Sequence, residues 1–446
     1  MKYFIFLLLY INIFAQNDFY FGIDVSSYKK VIEGNGIFKY KGFQKDALEI
    51  FKENNFNFIR LKLWHSPSDG FNDLDDVIDV SKKAKNLGFK ILLDIHYSDT
   101  WADPGHQTKP NKWQNLNYDV LRDSVYNYTK YVISSMKQYN CLPNIVQIGN
   151  EISGGFLWDD GRLDGSVDKW KKFTNLLKDA ISGVKDALSY GDSIKIMIHT
   201  DKGGDFSSCQ WFFDNLLNYG VNFDIIGLSY YPWWQGDFTK LNSNLFGLSN
   251  RYNKEIIIVE TAYPFTLLWN DDVFNVVGSN TQLLANYEAS ADGQRRYLTD
   301  LVTLLMNYPK VKGIFYWEPA WISTQKYGSM WENCCLFDFN GDALPGINYA
   351  NYLINNEIIY NKNNNKIKIY PNPFNGKAKI SFTIFSERIN VNIYDLLGHC
   401  LKSKEILNLT GKTVINLDFD DLSSGIYIIS IIDKKDIYVQ KVLYMK

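Results

Sequence analysis

Two glutamates, Glu151 and Glu260, are the residues whose type and position most directly indicate chemistry. Each follows a short apolar run, Glu151 at the end of IVQIGNE and Glu260 at the end of IIIVE. Other polar or aromatic residues stand in the same kind of place, directly after an apolar run: Asp24, Arg60, Trp64, Asp94, His96, Asn150, His199, Tyr230, Tyr231, Trp317 and Glu318. One such residue marks only the point where a strand leaves the core, but a series of them predicts a shared polar site.

Two carboxylates in one site can flank a glycosidic bond. Hydrolysis with retention of configuration needs them about 5–5.5 Å apart, one as nucleophile and the other as acid and then base. The acid must keep its proton near neutral pH, which requires burial and an anionic neighbour. The nucleophile must stay ionised, and we expect Arg60 and hydrogen bonds from Tyr230 or Tyr231 to hold it so. Glu318 is the competing carboxylate; we expect a supporting role for it because Trp317 occupies the strand end.

The elements that must position these residues alternate along the chain. Eight runs rich in Ile, Leu, Val and Phe predict strands buried on both faces, at Tyr20–Val25, Phe56–Leu63, Phe89–Tyr97, Ile145–Asn150, Ile194–Thr200, Phe223–Tyr230, Glu255–Glu260 and Gly313–Trp317. Amphipathic stretches between them predict helices, among them Phe43–Asn54, Asp75–Leu87, Tyr118–Tyr139, Asp168–Leu188 and Gly293–Leu305. The pattern predicts an α/β fold, a (β/α)8 TIM barrel with its site at the carboxyl ends of the strands. A doubly wound sheet shares the alternation, and the polar strand ends favour the barrel.

The two ends of the chain differ from this pattern. Residues 1–16 carry Lys2 and then an apolar run that is shorter than the roughly 20 residues of a spanning helix, which predicts a signal peptide. The barrel is expected over residues 17–354 and an Asn-rich linker over 355–366. Residues 367–446 show short alternating strands separated by turn residues, which predicts a small all-β, sandwich-like domain.

Composition excludes some classes of partner. The chain of 446 residues has a net charge of −2 and no strongly basic segment, which argues against nucleic acid or an anionic membrane as the main partner. Aromatic residues make up 16% of the chain; flat rings suit sugar faces but also fill ordinary cores. The five cysteines show no metal-binding spacing, and no organic cofactor is expected.

The barrel region resembles glycoside hydrolase family 53, the arabinogalactan endo-β-1,4-galactanases. The resemblance is carried by FGIDVSS, NFIRLKLWHSP, LLDIHYSDTWADPGHQ, VQIGNE, IMIHTDKGGD, IGLSYYPWW, VETAYPF, GIFYWEPAW and SMWENCCLFDFNGDALP. It implies a secreted enzyme that hydrolyses β-1,4-galactan or type I arabinogalactan with retention, with Glu151 as acid/base and Glu260 as nucleophile. Asn150 would then hold the sugar 2-hydroxyl and Trp317 would form the floor at the cleavage point. The resemblance also places a group of residues along the site: Arg60, His96, His199, Tyr230 and Tyr231.

Other interpretations of these residues remain open. His96 and His199 are each as readily explained as hydrogen-bonded core residues, and Trp64, Trp101 and Trp321 are expected to pack in loops. Some bacterial members of the family hold calcium in the loop after the seventh strand. Here that loop, residues 266–280, offers Asn270, Asp271 and Asp272 without the alternating ligand pattern, so no metal site is predicted although calcium is possible. The alternatives for function are another retaining β-glycanase, such as a mannanase or cellulase, and a non-catalytic glycan-binding barrel.

The C-terminal segment has a resemblance of its own. IYPNPFNGKAKISFTI, NIYDLLGHC and DLSSGIYIISI resemble the C-terminal sorting domain of type IX secretion. This implies a secreted or cell-surface protein of a Gram-negative bacterium, with the secretion machinery as partner and with loss of the tail. The alternative is a carbohydrate-binding module, which is disfavoured because the segment contains no Trp.

Overall fold

The computed structural model describes residues 19–351, 367–372, 374–375, 377–395, 400–432 and 437–446. The chain divides into two compact units, with the boundary between Ala350 and Asn351. The predicted signal peptide, residues 1–16, and the predicted linker, residues 355–366, lie outside the described residues. Within the described ranges, no helix has both the length and the apolar character needed to cross a membrane.

The first unit is a closed parallel barrel. Its strands are β1 (Tyr20–Asp24), β2 (Phe58–Leu63), β3 (Lys90–Ile95), β4 (Ile145–Ile148), β5 (Lys195–Thr200), β6 (Ile225–Ser229), β7 (Glu255–Thr261) and β8 (Val311–Tyr316). The sheet closes because β1 pairs in parallel with both β2 and β8. The helices are α1 (Tyr28–Glu33), α2 (Ala47–Glu53), α3 (Leu74–Asn86), α4 (Tyr118–Gln138), α5 (Val167–Asp186), α6 (Phe206–Asn218), α7 (Pro232–Gln235), α8 (Phe238–Arg251) and α9 (Ala291–Leu305). The predicted (β/α)8 barrel is confirmed.

The inner face of the barrel changes from apolar to polar along the strands. A buried layer across the interior consists of Phe58, Leu92, Ile145, Met197, Ile225, Ile257, Val259 and Phe315. Side chains two residues apart share one face of a strand. The next inward positions on β2 to β5 are therefore Arg60, Asp94, Gln147 and His199. An apolar plug thus closes the barrel below, and a polar layer lies above it at the carboxyl ends.

Strand β7 departs from this alternation where it carries Glu260. The pairing of β6 with β7 shifts by one residue between Leu228 and Ser229, so that β7 holds one extra residue opposite this point. Such a bulge redirects the side chains that follow it. Glu260 therefore faces the barrel interior, while the next residue, Thr261, bonds the Tyr297 hydroxyl of α9 at 3.1 Å.

The second unit is all-β, as predicted. Its strands are β9 (Ile367–Tyr370), β10 (Lys377–Tyr394), β11 (Cys400–Asp418), β12 (Gly425–Ile432) and β13 (Ile437–Tyr444). All of their pairings are antiparallel. β10 pairs with β11 along one side, and with β9 and then β12 along the other. β12 also pairs with β13, which completes one sheet of five strands. The unit has its own core, which includes Phe374, Phe382, Phe419, Ile429 and Tyr444.

Candidate active site

Arg60 is the centre of the polar layer. Its side chain is only 1% exposed, and its guanidinium lies 2.8 Å from each of three carboxylates, those of Asp24, Asp94 and Glu260. A planar, permanently charged guanidinium that is buried among its partners fixes their positions. Arg60 therefore holds Glu260 in place and favours its ionised form.

Asn150 is held in the same network. Arg60 Nη2 donates to Asn150 Oδ1 at 2.9 Å, and Asn150 Nδ2 donates to the carbonyl oxygen of Ala102 at 2.8 Å. Gln147 Nε2 also approaches Asn150 Oδ1, at 3.1 Å. Both the oxygen and the nitrogen of the Asn150 side-chain amide are therefore fixed by hydrogen bonds. Asn150 directly precedes Glu151 in the chain.

A single hydroxyl connects the two candidate catalytic carboxylates. Ser229 Oγ lies 2.6 Å from Glu151 Oε1 and 3.4 Å from Glu260 Oε2. These two carboxylate oxygens are therefore at most about 6 Å apart, which fits the separation of retaining glycosidases and falls below the roughly 6.5–9.5 Å of inverting ones. Tyr231 donates to Glu260 Oε2 at 3.0 Å.

The two carboxylates have different electrostatic surroundings. Burial raises the pKa of Glu151 well above its usual value, and the charges of Glu260 and Asp201 add to the rise. Burial also raises the pKa of Glu260, but Arg60 and the hydrogen bond from Tyr231 act against it. When two interacting carboxyls share one proton, it resides on the less stabilised anion. Glu151 is therefore the protonated partner and Glu260 the ionised one.

The two histidines lie at different depths. His96 lines the cleft, and its Nε2 donates to Asp94 Oδ2 at 3.0 Å, while its Nδ1 accepts from the backbone N–H of Ala102 at 3.2 Å. His199 is fully buried, with Nε2 2.9 Å from Ser229 Oγ. Burial lowers the pKa of His199 well below its usual value, so its ring is neutral.

Tryptophans form one wall of the site. Trp317 lies edge-on to Trp331, with ring centroids 4.6 Å apart, and 5.8 Å from Trp101. Lys62 Nζ is 3.6 Å from the centroid of Trp101, a cation–π contact that fixes this ring. Trp101, expected to pack in a loop, instead lines the cleft together with Trp317 and Trp331.

The cleft consists of two adjoining cavities that meet at Glu151. One of 540 Å³ is lined by most of the residues singled out from the sequence: Asp24, Arg60, Asp94, His96, Asn150, Glu151, Tyr231, Glu260 and Trp317. The other, of 940 Å³, is lined by polar residues that include Asp201, Lys202, Gln235 and Lys240. Asp103, Glu151 and Trp234 line both, so a chain longer than one sugar can pass across the carboxylate pair.

Some predicted site residues lie outside the cleft. Tyr230 is fully buried and donates to the carbonyl oxygen of Gly236 at 2.8 Å, so the structure does not bring it to the cavity. His199 lies behind the carboxylates and lines neither cavity. Glu318 is also buried away from the cleft, where it accepts hydrogen bonds from the backbone N–H and the hydroxyl of Ser27.

In the loop after β7, the Asp271 carboxylate is used in hydrogen bonds to the backbone. Asp271 Oδ1 accepts from the backbone N–H of Val273 at 2.7 Å, and Asp271 Oδ2 accepts from that of Ser329 at 2.8 Å. Among the residues that the structure describes, no cluster of three or more His, Cys, Asp or Glu side chains is arranged to hold a metal ion.

A (β/α)8 barrel whose cleft holds two buried, adjoining carboxylates beside a tryptophan wall has the architecture of a glycoside hydrolase. Residues 20–350 match glycosyl hydrolase family 53, and the chain belongs to this family. Residues 368–445 match the secretion system C-terminal sorting domain, so the second unit is a sorting domain that marks the protein for secretion.

Relatives of known name resemble the barrel over nearly their whole length. The arabinogalactan endo-β-1,4-galactanase of Thermothelomyces thermophilus is 36% identical over 74% of this chain and 97% of its own. That of Cellvibrio japonicus is 35% identical over 74% of this chain and 90% of its own. Among solved structures, the family 53 catalytic domain of Ignisphaera aggregans superposes with a TM-score of 0.70 at 41% identity, covering 75% of this chain and 96% of that domain.

Proposed function

We propose that this protein is a secreted endo-β-1,4-galactanase that hydrolyses β-1,4-galactan, including type I arabinogalactan, with retention of configuration. The observation that carries the reaction is the pair of glutamates that share the Ser229 hydroxyl while only Glu260 contacts the Arg60 guanidinium. The substrate is supported by the relatives that the barrel matches over 90% or more of their own length, because these are named arabinogalactan endo-β-1,4-galactanases.

In the first step Glu260 attacks the anomeric carbon. Arg60 and Tyr231 keep the Glu260 carboxylate ionised and aimed, so the nucleophile needs no reorganisation when the bond forms. Glu151, which holds its proton near neutral pH, gives it to the leaving oxygen. The sugar becomes joined to Glu260 as a glycosyl-enzyme, and the leaving chain carries the proton from Glu151.

In the second step Glu151 acts as a base. Once ionised, it takes a proton from a water molecule, which attacks the anomeric carbon and frees Glu260. Attack from the face that the leaving group vacated restores the original configuration. We expect Asn150, which is fixed by Arg60 and Ala102, to bind the sugar 2-hydroxyl, and Trp317 to pack against the sugar ring.

A polysaccharide panel tests the proposal. Pectic galactan and arabinogalactan should yield new reducing ends, while mannan, xylan and cellulose should not, with Glu260→Gln as the inactive control. Proton NMR of the first products should show the β anomer. Cleavage of mannan or cellulose in place of galactan would favour another retaining β-glycanase, and binding without any cleavage would favour a non-catalytic barrel.

A further inference from the structure

Ser229, the last residue of β6, is fully buried and contacts three side chains of the site. Its Oγ lies 2.6 Å from Glu151 Oε1, 3.4 Å from Glu260 Oε2 and 2.9 Å from His199 Nε2. A hydroxyl has one proton to donate and accepts through its lone pairs. The direction of these hydrogen bonds decides which carboxylate Ser229 serves.

The neighbours of His199 determine that direction. His199 Nδ1 accepts from the backbone N–H of Glu151 at 3.3 Å, a group that can only donate. Asn150 Oδ1 also lies 2.9 Å from Nδ1, but its two lone pairs already accept from Arg60 and from Gln147. Nδ1 is therefore the accepting nitrogen, and the neutral ring carries its proton on Nε2.

His199 Nε2–H then donates to Ser229 Oγ, and the Ser229 proton points to its nearer acceptor, Glu151 Oε1. We propose that Ser229 is a positioning residue for Glu151: its hydroxyl occupies Oε1 in both steps, so that Oε2 carries the catalytic proton. The inference rests on the proposed function of the two glutamates and adds a residue that orients one of them.

The hydrogen bond matters most when Glu151 is ionised. A hydrogen bond donated to a carboxylate is stronger than one donated to the neutral acid. Ser229 therefore stabilises the Glu151 anion that acts as base in the second step. Without the hydroxyl, Glu151 keeps its proton to higher pH and its anion loses an anchor. The other titratable or charged groups around Glu151 are Glu260, Asp201, Arg60, Tyr231, His199, Asp103 and Lys202.

The test is the pH dependence of Ser229→Ala. A hydrogen bond to a charged group changes the ratio of the ionised to the protonated form of Glu151 about 10–100-fold. The basic limb of the kcat/KM profile, where Glu151 loses its proton, should therefore shift to higher pH by about one to two units. On an activated aryl glycoside of the sugar that wild type cleaves, breakdown of the glycosyl-enzyme should slow by a similar factor and produce a burst. Ser229→Cys, which keeps a weak donor, should lie between wild type and Ser229→Ala.

Thr200→Val is the matched control. Thr200 is a fully buried residue on the neighbouring strand β5, and its hydroxyl has no hydrogen-bond partner among the described residues. This variant should keep the wild-type pH profile. An unchanged basic limb in Ser229→Ala, with wild-type breakdown of the glycosyl-enzyme, would overturn the inference.

Failure of the proposed function would look different, because wild type itself would then cleave no polysaccharide. The effect of Ser229 can still be measured without turnover, from the carboxyl ¹³C titration of glutamate-labelled protein. The Glu151 resonance is identified by its loss in Glu151→Gln. Its pKa should be higher in Ser229→Ala than in wild type, and equal values would refute the inference.

Discussion

At the scale of single residues, the two glutamates differ in what contacts them. Glu260 has a guanidinium and a phenol at its oxygens, whereas Glu151, within the described part of the chain, has neither and is the nearer neighbour of the Ser229 hydroxyl. The first environment suits an anion that attacks, and the second suits an acid that releases and regains a proton. Substitutions at the two positions should therefore differ in kind and not only in degree.

Glu151→Gln should lower kcat/KM on polysaccharide by about 10²–10⁴-fold, because it removes the proton donor. It should still form the glycosyl-enzyme from an aryl glycoside with a good leaving group, and azide should rescue turnover with a β-configured glycosyl azide as product. Glu260→Ala should instead give an α-configured azide product, since the anion attacks from the face that the carboxylate left. Product configuration by NMR distinguishes the two. If substitution of Glu318 abolished activity while Glu260→Gln kept a rate near that of wild type, the assignment of Glu260 as nucleophile would be wrong.

The sequence predicts the polar residues of the cleft better than the groups that orient them. Arg60 lies within β2 and Asn150 directly after β4, both in distinctive motifs, and the structure places both beside the carboxylates. Ser229 and Gln147 were not predicted, because a small or neutral polar residue near a strand end is common and its partners come from other strands. Tyr230 and Tyr231 are adjacent in sequence, and only the turn into α7 decides that Tyr231 faces Glu260 while Tyr230 faces Gly236.

At the scale of elements, a buried ion pair joins the strands where the barrel closes. Lys62 on β2 lies 3.5 Å from the Glu318 carboxylate after β8, and that carboxylate also accepts from Ser27 after β1. Burial raises the pKa of Glu318 and lowers that of Lys62, so each charge depends on the other.

Glu318→Gln should therefore lower the free energy of unfolding by about 3 kcal/mol, because it leaves a buried ammonium without its counter-charge. The double variant Lys62→Met with Glu318→Gln removes both charges and should recover most of that loss. Urea unfolding monitored by circular dichroism measures both variants. If the double variant were no more stable than Glu318→Gln alone, the ion pair would not be the cause.

The loop after β7 is held by hydrogen bonds to carboxylates. Glu332 Oε1 accepts from the backbone N–H of Asn270 at 2.6 Å, and Glu332 Oε2 accepts from the Ser323 hydroxyl at 2.5 Å. Because both oxygens of Asp271 and both of Glu332 already accept hydrogen bonds, we expect excess EDTA to leave the Tm unchanged and added calcium not to raise it. Glu332→Gln should lower the Tm by several degrees. A calcium-dependent rise in Tm, measured by differential scanning fluorimetry, would contradict this expectation.

The strands and long helices of the barrel are well predicted because burial and amphipathicity are local patterns. All eight predicted strands agree with the structure to within two residues at each end. The helix expected from Phe43 begins only at Ala47, because Asp46 caps it by accepting from the backbone N–H of Leu48 and Phe43 pairs with Tyr40 in a short ribbon. The bulge in β7 is absent from the prediction because it depends on how β7 pairs with β6.

At the scale of the whole molecule, the chain is built from two units that each have a core. The barrel contains every residue assigned to the reaction, and the sorting domain is stabilised by its own cluster of Ile, Val, Phe and Tyr side chains. A chain that ends at residue 354 should therefore fold and keep the kcat and Tm of the full-length barrel. Loss of cooperative unfolding in this shortened chain would show that the second unit is required for stability.

Secretion should remove both ends of the chain. The sorting domain has served its purpose once the protein is outside the cell, and the Asn-rich segment 355–366 offers a protease a polar stretch between the two units. The apolar segment before Gln16 is expected to be cleaved as a signal peptide. Intact-mass analysis of the secreted protein should therefore give a species that begins near residue 17 and ends before residue 367. A secreted species that keeps residues 367–446 would contradict the predicted removal of the sorting domain.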